Sequence, residues 1–96
     1  MAIRVTLNCQ IKTEQLIPLQ EFLTANLPRV RAFDGCRRVS VLMDKNKQEM
    51  LLDEEWSTIE KHQGYIRFIS DKGIMQALVS FLEGEPQVRY FELQDI

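Results

Sequence analysis

The chain has 96 residues, 45% hydrophobic and 27% charged, which is the composition of one ordinary globular domain over residues 1–96 with no room for a second. Its 12 Lys plus Arg against 14 Asp plus Glu give a net charge of −2, a poor match to phosphate-rich partners, so nucleic acid is not an expected ligand. No apolar run approaches the roughly 20 residues that cross a bilayer, and two cysteines behind an alternating Met1-Ala2-Ile3-Arg4 start point to a soluble, reduced, cytoplasmic protein.

Ile3, Val5, Leu7 and Cys9 recur at a spacing of two and predict a strand with one buried face. From Leu16 the period changes: Leu16, Leu19, Leu23, Leu27 and Val30 form one helical stripe. Thr13 is placed to cap that helix, Pro18 falls in its early turns, and Pro28 marks an end or a kink. Asp34-Gly35 is a turn dipeptide opening a second strand, Cys36 to Met43, with Arg37, Val39, Val41 and Met43 on one face. A polar connector, residues 44–48, leads to a third strand, Glu49 to Trp56, whose Met50-Leu51-Leu52 run loads both faces with apolar side chains.

Ser57-Thr58-Ile59-Glu60 fits a capping box, so a helix is expected straight after Trp56, through Ile59, His62, Tyr65, Ile66 and Ile69 to Asp71-Lys72-Gly73. A further amphipathic stretch carries Ile74, Leu78, Phe81 and Leu82 and stops at Gly84 and Pro86. Gln87 to Leu93, rich in β-branched and aromatic residues, reads as a fourth strand. The order β-α-β-β-α-α-β predicts an α+β, ferredoxin-like domain with helices on one face of the sheet. A chain this short has nothing left to cover the other face, so a homodimer packed sheet to sheet is expected.

Fold alone does not set function. An RNA-reading sheet would carry exposed aromatics in a basic setting, whereas the third strand is acidic and, before Trp56, without aromatics. A single histidine and two distant cysteines offer no metal-ligand spacing, so no metal is expected. Cys9 and Cys36 read as structural thiols. Glu54-Glu55 cannot form an acid/base couple, because neighbours on a strand point to opposite faces. What remains is aromatic: Trp56, His62, Tyr65 and Phe68 lie between the end of the third strand and the following helix, and there they are either core or the wall of a pocket for a flat aromatic ligand, with polar groups from His62, Tyr65 and Asn8.

Glu54-x-Trp56-Ser57 at a strand-to-helix junction, followed by His62-Gln63-x-Tyr65 and preceded by Phe33-Asp34-Gly35-Cys36, resembles the antibiotic biosynthesis monooxygenase family, as does the terminal Val88-Arg89-Tyr90-Phe91 strand. The resemblance implies a dimeric α+β barrel with a pocket between sheet and helices in each protomer. It further implies oxidation of a phenolic or quinol-type aromatic by dioxygen without metal, flavin or other cofactor, while a related branch binds haem. Trp56 matches the family's tryptophan and Asn8 the asparagine that some members place on the first strand; where many members carry a histidine this chain has Tyr65, with His62 one turn earlier. On this reading Trp56, His62 and Asn8 are the catalytic candidates, with His62 or Tyr65 taking the phenolic proton and Asn8 donating to the developing oxyanion, while Tyr65 and Phe68 bind substrate. The alternative is a non-catalytic protein of the same fold that binds an aromatic metabolite or haem.

Overall fold

A computed structural model describes residues 2–96; Met1, the first residue of the alternating start, lies outside the described residues. The elements run β1 (Ile3–Gln10), α1 (Leu16–Arg31), β2 (Cys36–Met43), β3 (Glu49–Trp56), α2 (Ile59–Asp71), α3 (Ile74–Ser80) and β4 (Gln87–Glu92). One four-stranded sheet has the order β2-β3-β1-β4, with every neighbouring pair antiparallel. Each helical connection therefore joins two parallel strands that are separated by a third, which is the split βαβ pattern of a ferredoxin-like domain.

The period-two residues of β1 do what their spacing demands. Ile3, Val5, Leu7 and Cys9 are buried beneath the helices, while Arg4, Thr6, Asn8 and Gln10 point the other way. On β3 the buried set is Met50, Leu52, Glu54 and Trp56. Leu19, Leu23 and Val30 of α1, Ile69 of α2 and Leu78 of α3 close the core from above.

Four local expectations change. In β2, Cys36 pairs with Trp56 and Arg38 with Glu55, so Arg37 is a bulge residue. That extra residue puts Cys36 rather than Arg37 on the face of Val39, Val41 and Met43, where it packs against the core. Helix α1 has Gln15, not Thr13, at its N-cap and no side-chain cap, because a tight turn through Glu14 at φ +68° delays its start. It then runs through Pro28 to Arg31. Pro28 and Thr24 are both exposed, so water can serve the Thr24 carbonyl that the proline ring leaves without a donor. Helix α2 is capped by Thr58, whose hydroxyl accepts from the Lys61 amide at 3.1 Å; Ser57 instead continues the extended chain, its amide bonded to the Gly35 carbonyl at 2.8 Å.

Beyond α3, Leu82 forms an isolated bridge with Ile11, and the Glu83 amide donates to Gln10 O at 2.9 Å. This short tie extends β1 and delivers the chain to β4. The outer face of the sheet is mixed rather than apolar: Arg4 grips Asp53 through two bonds of 2.8 Å, Arg38 joins them at 3.5 Å, and Leu42, Leu51 and Phe91 lie among these charges. All six residues of β4 are exposed. Among the described residues, no helix is long and apolar enough to cross a membrane.

Candidate functional site

Trp56 ends β3, opposite Ile3 on one side and Cys36 on the other, with its indole fully buried. Glu54 precedes it by two and so shares its face, and the indole Nε1 donates to Glu54 Oε1 at 2.7 Å. The Asp34-Gly35 turn locks this junction from outside. Gly35 has φ +95°, its carbonyl takes the Ser57 amide, and the Lys61 ammonium pairs with Asp34. The first turn of α2 is thereby fixed over Trp56, and it carries His62.

The His62 imidazole is 1% exposed and stands edge-on to both Trp56 and Tyr90, with ring centres at 5.3 and 5.4 Å. Its Nδ1 is 2.9 Å from the Tyr90 hydroxyl and its Nε2 is 4.0 Å from Glu54 Oε1. One turn on, Tyr65 packs against Trp56 at 5.4 Å and edge-on against Phe33 at 5.1 Å.

A cavity of about 50 Å³ lies beside these groups, between sheet and helices. Its walls are apolar side chains of β1, β3 and all three helices, and its polar lining is Glu54, His62, Tyr65 and Asn26. Burial sets the proton affinities. It pushes the imidazole of His62 down to about 4, so the ring is neutral at neutral pH. It raises the Glu54 carboxyl, opposed in part by the hydrogen bond from Trp56. It also raises the Tyr65 phenol, helped by the negative charge of Glu54, so Tyr65 keeps its proton at neutral pH.

Of the residues singled out from sequence, His62 and Tyr65 line the cavity together. Trp56 stands behind them as a buttress and as the donor to Glu54. Phe68 packs on Phe33 at 5.5 Å, with the Lys72 ammonium over its ring, and does not reach the cavity wall. Asn8 is on the opposite face of the sheet, where its amide donates to Glu49 Oε2 at 2.6 Å; strand alternation removes it from the cavity.

Two polar residues of the site were missed. Glu54 and Glu55 do point to opposite faces, but the Met50, Leu52, Trp56 spacing already assigns Glu54 to the buried one. Asn26 lies four residues from both Phe22 and Val30 on the inward side of α1, its amide donating to Phe22 O at 2.8 Å. Among the described residues, no group of three or more His, Cys, Asp or Glu could hold a metal ion.

No family model matches this sequence, and no curated protein does. Solved structures match over nearly the whole chain. A conserved protein from Methanosarcina mazei superposes with a TM-score of 0.87 at 21% identity, covering 98% of this chain and 94% of that one. A protein provisionally named an antibiotic biosynthesis monooxygenase, from Bordetella bronchiseptica, gives 0.83 at 16% identity, covering 99% and 98%. A protein of Mycobacterium tuberculosis gives 0.80 at 18% identity, covering 100% and 98%. At these identities the likeness is one of fold: this chain has the α+β, ferredoxin-like fold of proteins bearing the antibiotic biosynthesis monooxygenase name.

Proposed function

We propose that this chain, which has the fold of the antibiotic biosynthesis monooxygenases, belongs to that family and oxidises a phenolic or quinol-type aromatic with dioxygen, without a bound cofactor. The observation that carries the reading is the cavity between sheet and helices, where an apolar wall brings together a buried carboxylate, a neutral imidazole and a protonated phenol. An electron-rich ring held there and stripped of its hydroxyl proton becomes a phenolate, which surrenders an electron to dioxygen far more readily than the phenol does. Exclusion of water strengthens each polar contact the ring makes. One oxygen atom then enters the substrate and the other leaves as water, the substrate's own electrons reducing both.

The cavity restricts the substrate. At about 50 Å³ it offers roughly a third of the ~150 Å³ space known to take a benzene ring. A single-ring phenol requires outward movement of flexible lining side chains such as Met75, Ile66 and Phe22, and a polycyclic phenol requires more. The same smallness favours a second reading, a carrier that holds a small aromatic without turning it over. Haem does not fit: both imidazole nitrogens of His62 already face protein groups, and the ring is buried. We further propose that two copies pack sheet to sheet in the cytoplasm, with Cys9 and Cys36 as free thiols.

Oxygen uptake with a panel of hydroquinones and anthrones separates these readings. The monooxygenase consumes oxygen faster than the protein-free control, and His62→Ala and Trp56→Phe each slow it, the former about 100-fold. A carrier retains a small aromatic through native mass spectrometry and consumes no oxygen.

A further inference from the structure

Val39, Glu54, Val5 and Tyr90 are direct cross-strand neighbours on β2, β3, β1 and β4, and they form one row on the helix-facing side of the sheet. Two members of the row are polar, and the His62 imidazole spans them, Nδ1 toward Tyr90 and Nε2 toward Glu54. Among the described residues, Glu54 accepts one hydrogen bond, from Trp56 to Oε1, which leaves Oε2 free to accept another, and the residue lines the cavity. At 4.0 Å, the Glu54 carboxylate repels a lone pair on Nε2 and attracts an N–H there. With the proton on Nε2, Nδ1 must accept, and the Tyr90 hydroxyl is the donor in reach.

We propose that Glu54 is the proton acceptor of this site, and that Tyr90 positions His62 by donating to Nδ1, so that the imidazole presents Nε2–H beside that carboxylate. It rests on the monooxygenase reading for the substrate's identity but not for the geometry. In the step, the substrate O–H bond breaks, an O–H bond forms at Glu54 Oε2, and the electron pair stays on the phenolate. His62 Nε2–H stabilises that oxygen by hydrogen bonding and does not change its own protonation. A C–O bond then forms at a ring carbon whose C–H bond breaks; that hydrogen and the proton on Glu54 both leave on the second oxygen atom as water, which regenerates the carboxylate.

Burial makes the imidazole a weaker base than usual and the carboxylate a stronger one, in keeping with these roles. Trp56 on its own strand and His62 on α2 face Glu54, and its charge is also felt by Tyr65 on α2, Tyr90 on β4, Cys9 on β1 and Cys36 on β2. None of them carries a positive charge at neutral pH, and neighbouring Asp53 adds a negative one. The acid limb of a rate profile therefore lies above the usual carboxylate range.

His62 is the single histidine of the chain, so nitrogen-15 imidazole spectra report it without ambiguity. The expected spectrum at pH 7 is the neutral Nε2–H form with an acceptor Nδ1, and Tyr90→Phe raises the Nδ1–H fraction several-fold. An Nδ1–H form or an imidazolium in the unmodified protein overturns the positioning role. For Glu54 the probe is 4-nitrophenol, coloured only when ionised, added below its solution pKa. It is expected to bind as the yellow phenolate to the unmodified protein and as the colourless phenol to Glu54→Gln. A colourless bound form in both overturns the acceptor role, whether or not any phenol is oxidised. With an oxidised hydroquinone, Glu54→Gln lowers kcat about 100-fold, and Tyr90→Phe lowers kcat with KM unchanged and shifts the acid limb. Full turnover by Glu54→Gln also overturns the proposal. Failure of every phenol to be oxidised, with the spectra and the colour as expected, removes the monooxygenase reading alone.

Discussion

The imidazole of His62 is buried, and the cost of charging it there outweighs the attraction of the Glu54 carboxylate 4.0 Å from Nε2, a cost that pH reveals. Its folded pKa of about 4 lies below the ordinary value of 6.5, so the contribution is fully present above 6.5 and is lost as pH falls toward 4. The shift corresponds to about 3 kcal/mol. Urea unfolding at a series of pH values is expected to show that loss, and His62→Gln to flatten it; an unchanged slope in the variant assigns the acid sensitivity elsewhere. Glu54 behaves oppositely. Its raised carboxyl pKa means that burial penalises the carboxylate, a penalty absent at low pH and growing as pH rises through the folded value. Glu54→Gln keeps an acceptor for the Trp56 indole, so it is expected to be at least as stable as the parent at pH 7 while losing activity. A clear loss of stability contradicts this.

At the level of elements, the junction between β3 and α2 decides where the site chemistry sits. A Cβ on Gly35 would lie 2.5 Å from Lys61 Cβ and 2.7 Å from Lys61 Cγ, at a φ of +95° that strains any side chain. Gly35→Ala is therefore expected to cost about 1–3 kcal/mol, read as a lower melting temperature, and to loosen the first turn of α2. Thr58→Ala removes the cap of the same turn and is expected to cost about 1 kcal/mol, with Thr58→Ser retaining most of it. Equal stability of Thr58→Ala and parent counts against the cap.

These elements were legible in the sequence because buried faces impose their period. β1 and the stripe of α1 follow from spacing alone, and β3 from the polar connector before it and its apolar run. The departures sit where a local rule met a tertiary one. The bulge at Arg37 lets Cys36 reach Trp56, Pro28 is tolerated on a wet face, and the Gly35 carbonyl takes the Ser57 amide and leaves the cap to Thr58. Asn8 is a catalytic candidate by resemblance alone, and the alternation that buries Leu7 and Cys9 turns it outward. Glu54 was the opposite case, a residue set aside as half of an impossible pair although its spacing from Trp56 had already placed it in the interior.

For the molecule as a whole, the helices cover one face of the sheet, and β4 with Val88, Tyr90, Phe91, Leu93 and Ile96 stays exposed. Sedimentation at micromolar concentration is expected to give the mass of two chains; a stable monomer removes the sheet-to-sheet dimer. The cavity between sheet and helices makes a sharper demand on the proposed function. Leu78 lines it, and Leu78→Phe fills space that a phenol would occupy under the proposed function. Oxygen uptake on a hydroquinone by this variant, checked as folded by near-ultraviolet circular dichroism, is the most direct test. Loss of uptake with the fold intact is expected; uptake equal to that of the parent shows that oxidation does not take place between the sheet and the helices.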